Sequence, residues 1–219
     1  MDIELYTGAT KAMISTKGGY VTNLSDDRGD ILFPKRTLTT PDGSEKMRGG
    51  CHVCLPNFGP GGASGLEQHG YGRTSEWRVV EQSETRVELT CEGMDEYMSM
   101  DSFLTYEVHE TGFTMQLRLK NKGESPLNVA PAFHPYFYRN DQAPVIDGEA
   151  IQDLVPLAAT EFIDGPTHQV DFGRGLRLHS SELTHWAVWT DQLGAYLCVE
   201  PTQSGNAFAD DISRADTLA

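Results

Sequence analysis

Between Thr85 and Lys122 the apolar side chains fall on every second position, and that period limits what the chain can build. In TRVELTCEG, Val87, Leu89 and Cys91 alternate with Arg86, Glu88, Thr90 and Glu92. SFLTYEVHE sets Leu104, Tyr106 and Val108 on one side, and FTMQLRLKNK does the same with Phe113, Met115, Leu117 and Leu119. A period of two marks a half-buried antiparallel strand, and Glu110-Thr111-Gly112 joins two of them as a tight hairpin. Further strand segments are KAMIST, YVTNLSD, DILFP, EWRVVEQ, LNVAPAFH, QVDFG, LRLHS, HWAVWT and AYLCVEP. GEAIQDL reads as a short turn or a strand. No segment carries an amphipathic helix of three turns, and no composition shift or repeat divides the 219 residues. The expected fold is all-β: one domain over residues 1–219, a large antiparallel β-sandwich with little helix.

One stretch departs from the pattern. Residues 56–77, PNFGPGGASGLEQHGYGRTSEW, are too rich in glycine and proline for a helix or a core strand. They nevertheless end in a dense polar set, Gln68-His69-Gly70-Tyr71-Gly72-Arg73. The stretch is either a surface linker or the wall of a site.

Charge narrows the partners. A formal net charge of −15 argues against nucleic acid and against an anionic membrane surface, both of which need a basic face. MDIELYTGATKAMIS does not read as a signal peptide, and no run approaches the length of a membrane span. A cytoplasmic protein is expected, with its four cysteines as thiols. Cys51 and Cys54 form one C-x-x-C around His52, a weak metal signal without a second pair, so buried thiols are the stronger reading and no metal is expected.

Three segments hold the residue types that chemistry needs. The first is Arg48-Gly49-Gly50 with the glycine-rich loop. Arg48 and Arg73 are two of few cations, and their guanidiniums suit phosphate or sugar hydroxyls; the competing reading pairs them with surface acids and leaves His69 capping a turn. The second is PAFHPYFY, where His134 sits among aromatic rings. A satisfied core histidine is the commoner case, yet such rings also pack against sugar C–H faces, and a half-buried imidazole is a fit acid or base. The third is AYLCVEP, where Glu200 follows an apolar run. Burial there raises a carboxyl's pKa towards that of a useful base, against the alternative of a strand-end glutamate turned to solvent.

GGYVTNLSDDRGDILFP, RGGCHVCLPNFGP, QHGYGRTSEW, PAFHPYF and CVEP, in that order, resemble the aldose 1-epimerase (mutarotase) family of the galactose-mutarotase-like superfamily. The nearest branch is that of the hexose-6-phosphate mutarotase-like proteins. The resemblance implies a supersandwich with a sugar cleft on a concave sheet, interconversion of α and β anomers, and no cofactor. It implies His134 as acid, Glu200 as base, and His69 as the histidine that polarises the ring oxygen or holds the sugar. Arg48, Arg73 and Gln68 would line the sugar or phosphate site. The family's sugar-binding aspartate falls best on Asp164, with Asp171 second.

The chain ends soon after the Glu200 motif, so the family's last strand is expected to be missing, which would open a sheet edge and weaken the support of Glu200. Neutral hexoses and hexose 6-phosphates both remain as substrates. The alternative of another class is a carbohydrate-binding domain without turnover. A glycosidase ranks third, because it needs a second carboxylate in the site.

Overall fold

The computed structural model describes residues 1–139, 143–146, 148–151, 159–163 and 169–219. Its largest sheet has nine strands. In spatial order they are Asp2–Thr7, Thr10–Ser15, Tyr20–Asp26, Cys51–Cys54, Ala132–Tyr138, Tyr196–Thr202, His185–Trp189 and Glu161–Ile163, with Gly29–Asp30 added beside Tyr20–Asp26. A second sheet stacks Gly112–Asn121, Met100–His109, Arg86–Glu92 and Arg78–Gln82. The pairings are antiparallel in both sheets.

The alternation read from the sequence sets this packing. Met100, Leu104, Tyr106 and Val108 are buried while their strand neighbours are half-exposed, and Val87, Leu89 and Cys91 face the same way. They meet Leu5, Ile14 and Val21 of the large sheet in one continuous core. Tyr106 extends through it and donates its hydroxyl to the Gly19 carbonyl oxygen. Met115, Leu117 and Leu119 pack at the margin of that core, partly buried.

The middle strands of the large sheet follow a different rule. Leu197 and Val199, Trp186 and Val188, and Cys51 and Val53 enter the sandwich core. Their alternate neighbours Cys198, Ala187 and Cys54 belong to other buried clusters. Both faces are covered, so the strand Tyr196–Thr202 is buried at all seven positions. A strand buried on both faces reads as an apolar run rather than an alternation, which is why AYLCVEP has the composition it has.

The structure adds strands that the alternation does not single out: Asp2–Thr7, the hairpin of Arg36–Thr39 with Glu45–Arg48, and Asp216–Leu218. The last of these pairs with Leu127–Val129. Glu200 does not stand beside an open edge: its strand lies between Ala132–Tyr138 and His185–Trp189. Both of these neighbours precede it in the chain. The single α-helix among the described residues, Ala207–Asp210, has four residues.

Two glycines carry the chain from the Glu45–Arg48 hairpin into the sheet. Gly49 and Gly50 both have left-handed backbone, at φ 95° and 70°. A Cβ on Gly50 would come within 2.2 Å of the Val21 carbonyl oxygen. Gly50→Ala should therefore lose stability, by about 1–3 kcal/mol for the backbone conformation alone. Urea unfolding would show this as a lowered midpoint; an unchanged midpoint would mean that the turn relaxes to accept a side chain.

Candidate active site

Strand register creates the site. His134 pairs with His52 on one side. On the other side Ala132 pairs with Thr202 and Tyr136 with Cys198, which sets position 134 across from position 200. His52, His134 and Glu200 thus form a row across three adjacent strands on the face away from the sandwich core. All three are buried. The Nε2 atom of His134 lies 3.3 Å from Oε2 of Glu200, and the His134 and His52 rings are 4.7 Å apart.

The glycine-rich loop supplies the opposite wall. It folds back through reciprocal hydrogen bonds between Gly59 and His69. The His69 N–H donates to the Gly59 carbonyl oxygen at 2.7 Å, and the Gly59 N–H donates to Nδ1 of His69 at 3.1 Å. With Nδ1 accepting, the neutral imidazole carries its hydrogen on Nε2. The Gln68 amide lies 3.3 Å away and satisfies that hydrogen only with its oxygen turned to the ring. Tyr71 and Trp77 are buried beneath the loop, and the Trp77 indole N–H donates to the Gly72 carbonyl oxygen at 2.9 Å. The loop therefore lines a cavity through Phe58, Gly59, Gln68, His69 and Arg73.

Between these walls lies a cavity of about 470 Å³, lined by His52, His69, His134, Glu200, Gln68, Arg48 and Arg73, with Lys46, Phe58, Tyr136, Trp189 and Asn206. That volume falls in the range of small-molecule sites, about 300–1,000 Å³. Aromatic rings flank the row: Tyr136 stacks on His134 at 4.9 Å, and Trp189 meets it edge-on at 6.2 Å.

Burial sets the protonation of the row. Desolvation pushes the Glu200 carboxyl well above its usual range. Desolvation, then the neighbouring His52, His69 and Arg73, push His134 well below the usual histidine range. Both shifts favour the neutral forms, a protonated Glu200 carboxyl beside an uncharged His134 imidazole. This differs from a resting carboxylate facing an imidazolium, because that charge-separated pair has little solvation at this depth. His69 is also held neutral, chiefly by burial and then by Arg73, with its pKa lowered to about 3.

The two arginines differ. Arg48 donates from Nε to Asp191 Oδ2 at 2.8 Å. Arg73 shows no ion pair or side-chain hydrogen bond among the described residues, and its Nε is buried without a partner. Pairing with an acid thus holds for one of them. Asp164 lies outside the described residues. Asp171 does not line the cavity; its carboxylate is engaged by Arg177 at 3.3 Å and by the Gly173 N–H at 2.7 Å. All four cysteines are buried free thiols. Sequence reasoning undervalued His52 and missed Asp191, Trp189 and Lys46. His52 was visible as a polar residue inside a buried tetrad, but only the register shows which strand it joins.

A β-sandwich with a buried imidazole–carboxyl pair at the floor of such a cavity belongs to the class of small-molecule sites built on a sheet face. The family model of aldose 1-epimerase matches residues 1–164, and the chain belongs to that family. A protein described as "Putative glucose-6-phosphate 1-epimerase" from Cenchrus ciliaris is 28% identical over 169 residues, covering 68% of this chain and 51% of that protein. The chain thus spans about half the length of this curated relative. Among solved structures, a galactose mutarotase-like protein from Lactobacillus casei superposes with a TM-score of 0.79 at 15% identity, over 100% of this chain and 95% of that one. A galactose mutarotase related enzyme from Lactobacillus acidophilus gives 0.77 at 14% identity, over 100% and 92%. At these identities the likeness shows the shared β-sandwich fold. No helix among the described residues is long and apolar enough to cross a membrane.

The buried neutral His69 has a consequence for stability. In the unfolded chain its imidazole takes up a proton near pH 6.5, whereas the folded site resists protonation down to about pH 3. In that window the unfolded state binds more protons. The stabilising contribution is present above pH 6.5 and is lost progressively as pH falls towards 3. One such group adds a slope of at most about 1.4 kcal/mol per pH unit. His69→Asn, which tolerates the left-handed backbone at φ 64°, should therefore lose less stability on acidification than the wild type in urea titrations, since the comparison cancels the other buried groups. Parallel curves would show that His69 titrates normally in the fold.

Proposed function

We propose that the protein is an aldose 1-epimerase that interconverts the α and β anomers of a hexose or a hexose 6-phosphate. The observation that carries this reading is the buried His134–Glu200 pair, with Nε2 and Oε2 3.3 Å apart and both residues lining the cavity. Anomer exchange needs one group to take a proton from the C1 hydroxyl and another to give one to the ring oxygen. The proton count is unchanged at the end.

In the proposed cycle a sugar enters and its hydroxyls hydrogen-bond to the pair. That contact favours the charged forms, so the shared proton passes from Glu200 to His134. The Glu200 carboxylate takes the C1 hydroxyl proton as His134 donates its own to the ring oxygen. The C1–O5 bond breaks and leaves an aldehyde. Rotation about C1–C2 presents the other carbonyl face, the C5 hydroxyl attacks C1, and the two proton transfers run in reverse. His69, whose Nε2 hydrogen is fixed by the Gly59 contact, holds an oxygen of the sugar as donor. Tyr136 and Trp189 offer rings to its C–H faces. Arg73 is the first candidate for a 6-phosphate, because it lines the cavity without an acidic partner among the described residues.

Glu200→Gln keeps the shape and removes the proton acceptor. Exchange followed by magnetisation-transfer NMR on glucose, galactose and glucose 6-phosphate should fall by at least about 10²-fold relative to the wild type. A folded Glu200→Gln protein with full exchange would sink the assignment. If the wild type accelerates no sugar yet binds one, the carbohydrate-binding reading replaces it. A second variant addresses the phosphate: Arg73→Ala should raise KM for glucose 6-phosphate by roughly tenfold or more, with a smaller change for glucose. Equal changes on both sugars would place the phosphate elsewhere.

A further inference from the structure

Arg48 reaches the cavity with much of its guanidinium already engaged. Nε donates to Asp191 at 2.8 Å, and Nη1 donates to the Met47 carbonyl oxygen at 2.8 Å. The group also lies over the Trp189 ring, 5.3 Å from its centre. Asp191 is fixed in turn from its other oxygen, which accepts from the Tyr196 hydroxyl and from the Leu193 N–H. These bonds hold the carboxylate ionised: although partial burial opposes ionisation, the Tyr196 and Arg48 contacts keep its pKa below the ordinary value.

An arginine grips a phosphate best through two parallel N–H bonds from neighbouring nitrogens. The bond from Nε to Asp191 takes the Nε–Nη2 edge of the Arg48 guanidinium, and the bond from Nη1 to Met47 uses one of the two Nη1 hydrogens. Its charge is also offset by a carboxylate 2.8 Å away. Arg73 lines the same cavity with neither restriction among the described residues. Among the described residues Arg48 is compensated by a carboxylate, whereas Arg73 and Lys46, which line the same cavity, show no ion pair.

We infer that Asp191 is a specificity-determining residue: by offsetting the charge of Arg48 it disfavours an anion there and holds Arg48 as a donor for neutral hydroxyls, which leaves the tolerance of a phosphate to the other cations of the cavity, Arg73 and Lys46. The inference rests on the mutarotase reading for its substrate. Its electrostatic content is independent of turnover.

Asp191→Asn tests it, since asparagine keeps the shape and still offers an oxygen to Arg48 Nε. Inorganic phosphate binding by calorimetry should tighten by roughly tenfold at low salt, and the gain should shrink as salt is added. The ratio of kcat/KM for glucose 6-phosphate over glucose should rise by a similar factor. A purely structural role for Asp191 would weaken both sugars alike and leave the ratio unmoved. Adding Arg48→Met should abolish the gain; a gain that persists there would overturn the role given to Arg48. A phosphate affinity and a ratio within about twofold of wild type, from a folded variant, would overturn the inference as a whole. Should Asp191→Asn fail to fold, Asp191→Ser removes the same charge with a smaller polar side chain and should move the same two quantities in the same direction. If the wild type turns over no sugar, the mutarotase reading falls, and the phosphate titration alone decides the role of Asp191.

Discussion

The site depends on a glutamate held inside a sheet whose middle strands are covered on both faces. Glu200 is 1% exposed. A lone ionised carboxyl at that depth would cost several kcal/mol. The fold avoids that cost by keeping the carboxyl neutral beside an equally neutral imidazole. This sets a protonated carboxyl beside an uncharged imidazole. Core packing and proton chemistry therefore share one cause. The sandwich seals one face with Leu197 and Val199, and the loop and hairpin close over the other, where Cys198 and Glu200 point.

The same low-dielectric setting explains the arrangement of the cations. The chain carries a formal charge of −15, yet its cavity is lined by Lys46, Arg48 and Arg73. A cation this close to the histidines helps hold them neutral, and Arg73 contributes in that sense to His52, His69 and His134 alike. The arginine thus contributes to the electrostatics of the whole histidine cluster. At long range the acidic surface opposes an anion, so any preference for a phosphorylated sugar has to arise from short-range hydrogen bonds inside the cavity.

The sandwich was legible because half-buried strands print a period of two, and Val87 to Leu119 print it clearly. The site was legible in part. His134 and Glu200 stood out as polar residues in apolar or aromatic runs, and the loop announced itself by its glycines. His52 carries the same signal in CHVC, but its value depends on pairing with His134, and register between strands 82 positions apart leaves no local trace. Asp191 is 143 positions from Arg48, and in WTDQLG it looks like an ordinary turn aspartate. The Arg36–Thr39 and Glu45–Arg48 hairpin was missed for a related reason: its strands are mostly exposed and have no apolar face to alternate. It holds Arg48 through pairing with Arg36 and through the turn at Gly49.

The unpartnered atoms of the site bear on what it takes. His134 Nδ1, Glu200 Oε2 and Arg73 Nε are buried and have no hydrogen-bond partner among the described residues. Stranded polar groups of this kind cost about 1–3 kcal/mol each, and a fold tolerates them where a ligand completes them. An apolar molecule would leave all three unmet. A ligand with a single polar group would meet one. A ring carrying hydroxyls as both donors and acceptors, with C–H faces to lay against Tyr136 and Trp189, matches the set. The three atoms together call for a ligand that both donates and accepts hydrogen bonds at close spacing, which the proposed sugar would supply.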